Sequence, residues 1–270
     1  MRLKSTIIIV LVTTWLCPVG GVGLSDSLPQ DELAIYAGNE CVGCHSRLSN
    51  PLKLTSLYAD WHTSTHKDRG VSCDSCHGGV PREKDRVKAH VGVLPSTHPD
   101  SRLNPANQTQ TCRQCHSRIV SAFIESSHYR QLKESRLGPS CSTCHQHMAA
   151  GVIYTPAQTA ALCAKCHDTA LSSLPRSPAI AVDAAETMQA IRRASLMVAW
   201  AGRLIEVANK RDVVTTAYDA QFKQINVKMS ESRVSFHTFL TADSHQKADS
   251  AWELGLKLKD ELRRKLYPVP

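Results

Sequence analysis

The chain has 270 residues, a formal charge of +8 and only 5% aromatic residues. That length holds one large domain or two small ones, yet so few aromatics leave little bulk for an ordinary core of that size. The basic residues are scattered, with no long run and no interleaved aromatics, which argues against a nucleic-acid or acidic-membrane binder.

Residues 1–23 open with Arg2 and Lys4, continue as an apolar run from Ile7 to about Leu16, and close on Gly20, Gly21 and Gly23. Those are the three regions of a secretory signal. The run is shorter than the roughly 20 residues of a spanning helix, so an uncleaved anchor is the second reading. Bulky Leu16 argues against lipid attachment at Cys17. The mature chain is expected to start near Leu24, in the periplasm, with its charge lowered to +6 by loss of Arg2 and Lys4.

Residues 24–170 hold the other ten of the eleven cysteines. They form five copies of one pattern: Cys41-x-x-Cys44-His45, Cys73-x-x-Cys76-His77, Cys112-x-x-Cys115-His116, Cys141-x-x-Cys144-His145 and Cys163-x-x-Cys166-His167. Two sulfurs three positions apart reach the two vinyl groups on one porphyrin edge. The histidine that follows then sits under the iron as its proximal ligand. Zinc ribbons and dithiol sites need no histidine after every second cysteine. A bridge across so short a loop is a poor structural staple. The pattern therefore predicts five covalently bound haem c groups, with the porphyrins forming the core. Little regular sheet, short helices after some motifs and many ligand-bearing loops are expected.

Within this region a unit recurs. Trp61-x-x-Ser64-x-His66 matches Phe123-x-x-Ser126-x-His128. Each follows one motif and precedes a Gly-x-Ser-Cys-x-x-Cys-His, from Gly70 and from Gly138. The reading is two duplicated two-haem modules, 41–77 and 112–145, plus a fifth haem at 163–167; internal repetition is stronger evidence than a single match. His66 and His128, at the same offset in both copies, are the leading distal ligands. His62 is not read as one, because Ile124 takes its place in the second copy. One of His90 and His98 is expected to bind iron. His147 is too near His145 to cap the same iron but is free to reach a neighbour, and Met148 is a weaker candidate.

A linker over 171–178 leads to residues 179–270. From Ala179 to Tyr267 there is no proline and glycine occurs only at 202 and 255. Apolar residues recur at three and four through Ala184, Met188, Ile191, Val198, Ala201, Ile205 and Ala208, the stripe of an amphipathic helix. Asp212 is read as the cap of a second helix through Leu240, and Asp243 or Ser244 as the cap of a third running to about Leu266. The fold class is thus mainly α with extensive loops: a multihaem cytochrome c domain followed by a helical hairpin or three-helix bundle. His237 is expected to clamp that bundle to the haem array as a distal ligand, with His245 exposed in a turn.

The five motifs, the two Ser-x-His segments and the helical tail resemble the multihaem cytochromes c, the group that includes pentahaem nitrite reductase, hydroxylamine oxidoreductase, octahaem tetrathionate reductase and the tetrahaem carriers. The resemblance implies haems stacked in parallel and perpendicular pairs at near-contact edges. No motif here carries the lysine of the nitrite reductases, and no tyrosine stands out as the cross-linking one of the hydroxylamine-oxidising members. The expected function is an exported carrier passing single electrons along mostly bis-histidine haems in anaerobic respiration. Its donor would be a quinol-oxidising membrane protein or another cytochrome. Its acceptor would be a terminal reductase or an outer-surface cytochrome. The alternatives are a reductase of a small nitrogen or sulfur oxyanion at one open haem, and a subunit of a larger complex.

Overall fold

The computed structural model describes residues 34–146, 155–168 and 176–268. Among them every regular element is helical. The leader, Cys17, His147, Met148 and most of the 171–178 linker lie outside the described residues. The chain divides into two units, residues 1–37 and 38–270. In the first, a 3₁₀ turn over 34–36 is closed by the Ala37 N–H donating to the Ala34 carbonyl at 3.1 Å. All that follows belongs to the second unit.

Its first part is a succession of short helices: α1 (Glu40–His45), α2 (Leu52–His62), α3 (Thr65–Asp68), α4 (Cys73–His77), α5 (Arg86–Ala89), α6 (Gln108–Arg113), α7 (Ser117–Ile124), α8 (Ser127–Glu134), α9 (Cys141–His145) and α10 (Pro156–His167). Four of the five cysteine motifs lie wholly on α1, α4, α9 and α10 rather than before a helix. The third runs directly into one, with His116 at the N-cap of α7, and α2 follows the first, in line with the expectation of short helices after some motifs.

The repeated Ser-x-His segments have a local cause. Ser64 caps α3, accepting from the Lys67 N–H at 3.4 Å while its hydroxyl donates to the Trp61 carbonyl at 2.7 Å. Ser126 caps α8 in the same way, accepting from Tyr129 N–H at 3.1 Å and donating to the Phe123 carbonyl at 2.6 Å. Trp61 and Phe123 are buried beneath the caps. A serine there satisfies an orphan N–H of the first turn and fixes the histidine two residues on within that turn. The glycines that follow the two copies serve different ends. Gly70 has φ +75°, a left-handed conformation open to glycine. At Gly138 a Cβ would meet the His128 carbonyl oxygen and the Leu132 nitrogen at 2.1 and 2.5 Å.

The second part is a three-helix bundle: α11 (Ala179–Lys210), α12 (Thr216–Phe236) and α13 (Thr241–Leu266). Ala194, Ala201 and Ala208 on α11 meet Ala248, Ala251, Leu258 and Leu262 on α13, all fully buried, with Ile225 and Met229 from α12. Small residues let the helix axes approach closely. Truncating Leu258 or Leu262 to alanine would leave a cavity costing about 2–5 kcal/mol. The helix starts differ from the expected caps. Asp212 lies in a turn at φ +54°. Thr215 stands at the N-cap of α12 instead, its hydroxyl donating to Asn209 Oδ1 and Asp219 Oδ2 at 2.8 and 3.0 Å. Ser244 is buried inside α13, its hydroxyl donating to the Ser232 carbonyl at 2.9 Å. His245 lies in α13 rather than in a turn, with Nε2 3.5 Å from Asp249 Oδ2. The bundle packs on the first part through α10 against α11 and α7 against α12.

Candidate metal centres

The motif helices are fastened in pairs. In the first copy Asn39, the N-cap of α1, donates Nδ2–H to Asp74 Oδ1 on α4 at 2.9 Å. In the second, Gln108 at the start of α6 donates to Ser142 Oγ on α9 at 2.9 Å and accepts the Ser142 N–H at 3.0 Å. Asp74 and Ser142 occupy the same place, one residue after the first cysteine of the motif. Neighbouring motifs also lie close enough for their sulfurs to interact. Burial, then Cys41, pushes the Cys73 thiol up to about 11. Burial, then Cys112 and Cys115, raises Cys76. Cys112 and Cys141 share a hydrogen bond that raises the first and lowers the second. Burial, then Cys163, pushes Cys144 up to about 11. The motifs thus follow one another in space in the order of the sequence. None of the ten cysteines in them is bonded to another cysteine.

Four motif histidines each face a second imidazole. The ring centroids are 6.2 Å apart for His45 and His90, 6.1 Å for His116 and His66, 5.9 Å for His167 and His128, and 6.1 Å for His145 and His237. A metal–imidazole bond of about 2.0–2.1 Å, with the ring centre roughly 1.1 Å behind its nitrogen, puts two opposed imidazoles on one metal roughly 6.3 Å apart. The four gaps fit one metal ion each. Among the described residues no group of three or more His, Cys, Asp or Glu converges on a point. Two axial nitrogens with no equatorial protein ligands suit an iron whose other four positions belong to a porphyrin, and do not suit tetrahedral zinc.

The tautomers agree. His90 Nδ1–H donates to the Arg86 carbonyl and His237 Nδ1–H to the Arg233 carbonyl, both at 2.7 Å. Each contact leaves Nε2 as the lone-pair nitrogen, the orienting arrangement of ligating histidines. His98 is used otherwise: its Nδ1 accepts the Asp100 N–H at 3.1 Å, and no motif ring stands opposite it. Of the two candidates, His90 is the one that faces a motif ring among the described residues. Burial, then His90, lowers the His45 imidazole, and burial, then His237, lowers His145. Burial, then His167, pushes His128 down to about 4. All favour the neutral, metal-binding form at neutral pH.

Three features escape a reading of the sequence. Phe239, in the turn before α13, lies over the His128 ring with centroids 3.9 Å apart, and holds φ +63° to do so, an outlier for a bulky residue. His62 buries Nε2 without a hydrogen-bond partner among the described residues, its ring 5.7 Å from that of Tyr58 on α2. The Asn39–Asp74 and Gln108–Ser142 fasteners use common polar residues with no motif of their own. Only the duplication could have pointed to position 74 and its counterpart 142.

Paired axial imidazoles over Cys-x-x-Cys-His helices define a c-type cytochrome with several haems. Two family models agree: one described as cytochrome c554 and c-prime matches residues 26–78, and one described as cytochrome c7 and related cytochrome c matches 97–168. Two relatives are polyhaem cytochromes of Geobacter sulfurreducens. OmcB is 31% identical over 126 residues and OmcC 29% over 125, each match covering 44% of this chain and 15% of the relative. The chain thus spans about one seventh of the length of the curated relatives it matches. No solved structure matches it. Over residues 26–78 and 97–168 the chain is therefore similar to cytochromes c, whose haem is covalently bound. Among the described residues no helix is long and apolar enough to cross a membrane.

Proposed function

We propose that the chain is an exported pentahaem cytochrome c passing single electrons along its haems in the order of their motifs. The carrying observation is the set of four opposed imidazole pairs, spaced for one iron each. On this reading Cys41 and Cys44, Cys73 and Cys76, Cys112 and Cys115, Cys141 and Cys144, and Cys163 and Cys166 form the thioethers. His45, His77, His116, His145 and His167 are the proximal ligands. His90, His66, His237 and His128 are the distal ligands of the first, third, fourth and fifth haems. The haem supplies a reversible one-electron couple; the chain supplies two neutral imidazoles per iron, which keep it six-coordinate so that little rearranges when its charge changes. Both Ser-x-His histidines reach past their own module, His66 to the third motif and His128 to the fifth, which locks the array into one body.

The proposed organisation is a cleaved leader over 1–23, a haem domain over 24–170, a linker over 171–178 and a helical domain from 179. The proposed setting is the periplasm, with a quinol-oxidising membrane protein or another cytochrome as donor and a terminal reductase or outer-surface cytochrome as acceptor. The test is intact mass of the exported protein with electron paramagnetic resonance of its oxidised form. Five added haems and low-spin signals from at least four are expected. A mass without tetrapyrrole overturns the reading, as does a predominantly high-spin spectrum.

A further inference from the structure

Two arginines without an opposing carboxylate line one cleft. Between α7 and the bundle lies a cleft of about 360 Å³. Cys115 and His116 form one wall with Arg118 beside them, and Ser195, Asn226 and Arg233 come from α11 and α12. Arg118 Nη1 donates to Ser230 Oγ at 3.4 Å and Arg233 Nη2 to Ser195 Oγ at 3.2 Å. Among the described residues neither guanidinium pairs with an aspartate or glutamate. A guanidinium presents five donors in a fork that matches a carboxylate, and a single hydroxyl contact leaves most of them unused.

We propose that Arg118 and Arg233 bind the propionate carboxylates of the haem attached at Cys112 and Cys115. The proposal rests on the haem reading above. The proximal histidine and both arginines line one cleft; the propionates leave the porphyrin on the edge opposite the thioethers, so the guanidiniums would meet them across the face that His116 underlies. Arg233 has a second part to play: its carbonyl accepts the His237 Nδ1–H at 2.7 Å. One turn of α12 thereby serves two neighbouring haems, orienting the distal ligand of the fourth through its backbone and neutralising the third through its side chain.

The test compares the holoprotein with an R118Q/R233Q double variant and its R118K/R233K counterpart, by intact mass, electron paramagnetic resonance and redox titration. Removing both guanidinium charges leaves the propionates unneutralised, which favours ferric iron. One midpoint is expected to fall by about tenfold in the equilibrium constant for reduction, about 59 mV for one electron. Haem count and low-spin signals stay as in the wild type, and lysine restores part of the shift. Unchanged midpoints in the glutamine variant overturn the assignment. So does a wild-type midpoint that moves when chloride is replaced by sulfate or nitrite and stays fixed in the variant, which would place a free anion in the cleft. Wild-type protein whose mass lacks haem overturns the underlying reading instead.

Discussion

His237 shows how one side chain acquires its role from its surroundings. It ends α12, donates Nδ1–H to the carbonyl one turn back, and lies parallel to His145 with an interplanar angle of 3°. Replacing it with alanine should turn one haem from low spin to high spin while the number of attached haems stays at five, as resonance and mass would show. His98→Ala and His245→Ala should leave the spectrum unchanged, because both rings are engaged with nearby aspartates. The ten cysteines, the motif histidines and the candidacy of His66, His128 and His237 are legible in the sequence because spacing and repetition carry them. Which imidazole faces which is not, since His66 and His116 are fifty residues apart in number and meet only when the helices pack. His62 shows the limit of duplication logic: Ile124 in the second copy argues against an axial role, but nothing in the repeat announces that its Nε2 is buried.

Among the elements, the shortest helices depend most on their caps. Ser126→Ala removes both the acceptor for Tyr129 N–H and the donor to the Phe123 carbonyl. It should cost about 1 kcal/mol and lower the melting temperature by roughly 2–4 °C for a chain of this size, with Ser126→Asp recovering part of the loss in calorimetry. On α13, Lys247 and Ser235 hydrogen-bond Asp243 and hold its carboxyl below the usual range. A depressed folded-state pKa contributes stability above the unfolded value, and that contribution disappears as pH falls through the folded one. Asp243→Asn should therefore destabilise slightly at pH 7, with the difference from wild type closing in acid; pH-dependent unfolding would check it. The three bundle helices are legible from period and the lack of proline. Their starts are not, because Thr215 and Leu240 stand at the N-cap positions without a capping side-chain hydrogen bond for the sequence to announce.

At the scale of the molecule the two parts are held by different means. The continuous cluster of buried apolar side chains lies wholly within 190–266. Chain made without its haems should therefore keep the bundle helical and resist protease there, while residues before about 170 are digested; limited proteolysis with mass mapping would show the difference. The duplicated halves differ in charge at the fastening position. The first copy places a carboxylate, Asp74, where the second places the hydroxyl of Ser142, and the second is flanked by the unpaired Arg118 and Arg233. Negative charge beside a haem favours its oxidised state and positive charge the reduced state. Asp74→Asn should raise the lowest midpoint in a redox titration. On the proposed reading, two copies of one module set at unequal heights by these side chains would make a downhill staircase rather than a level corridor, so that traffic entering at the first motif would drain toward the fifth.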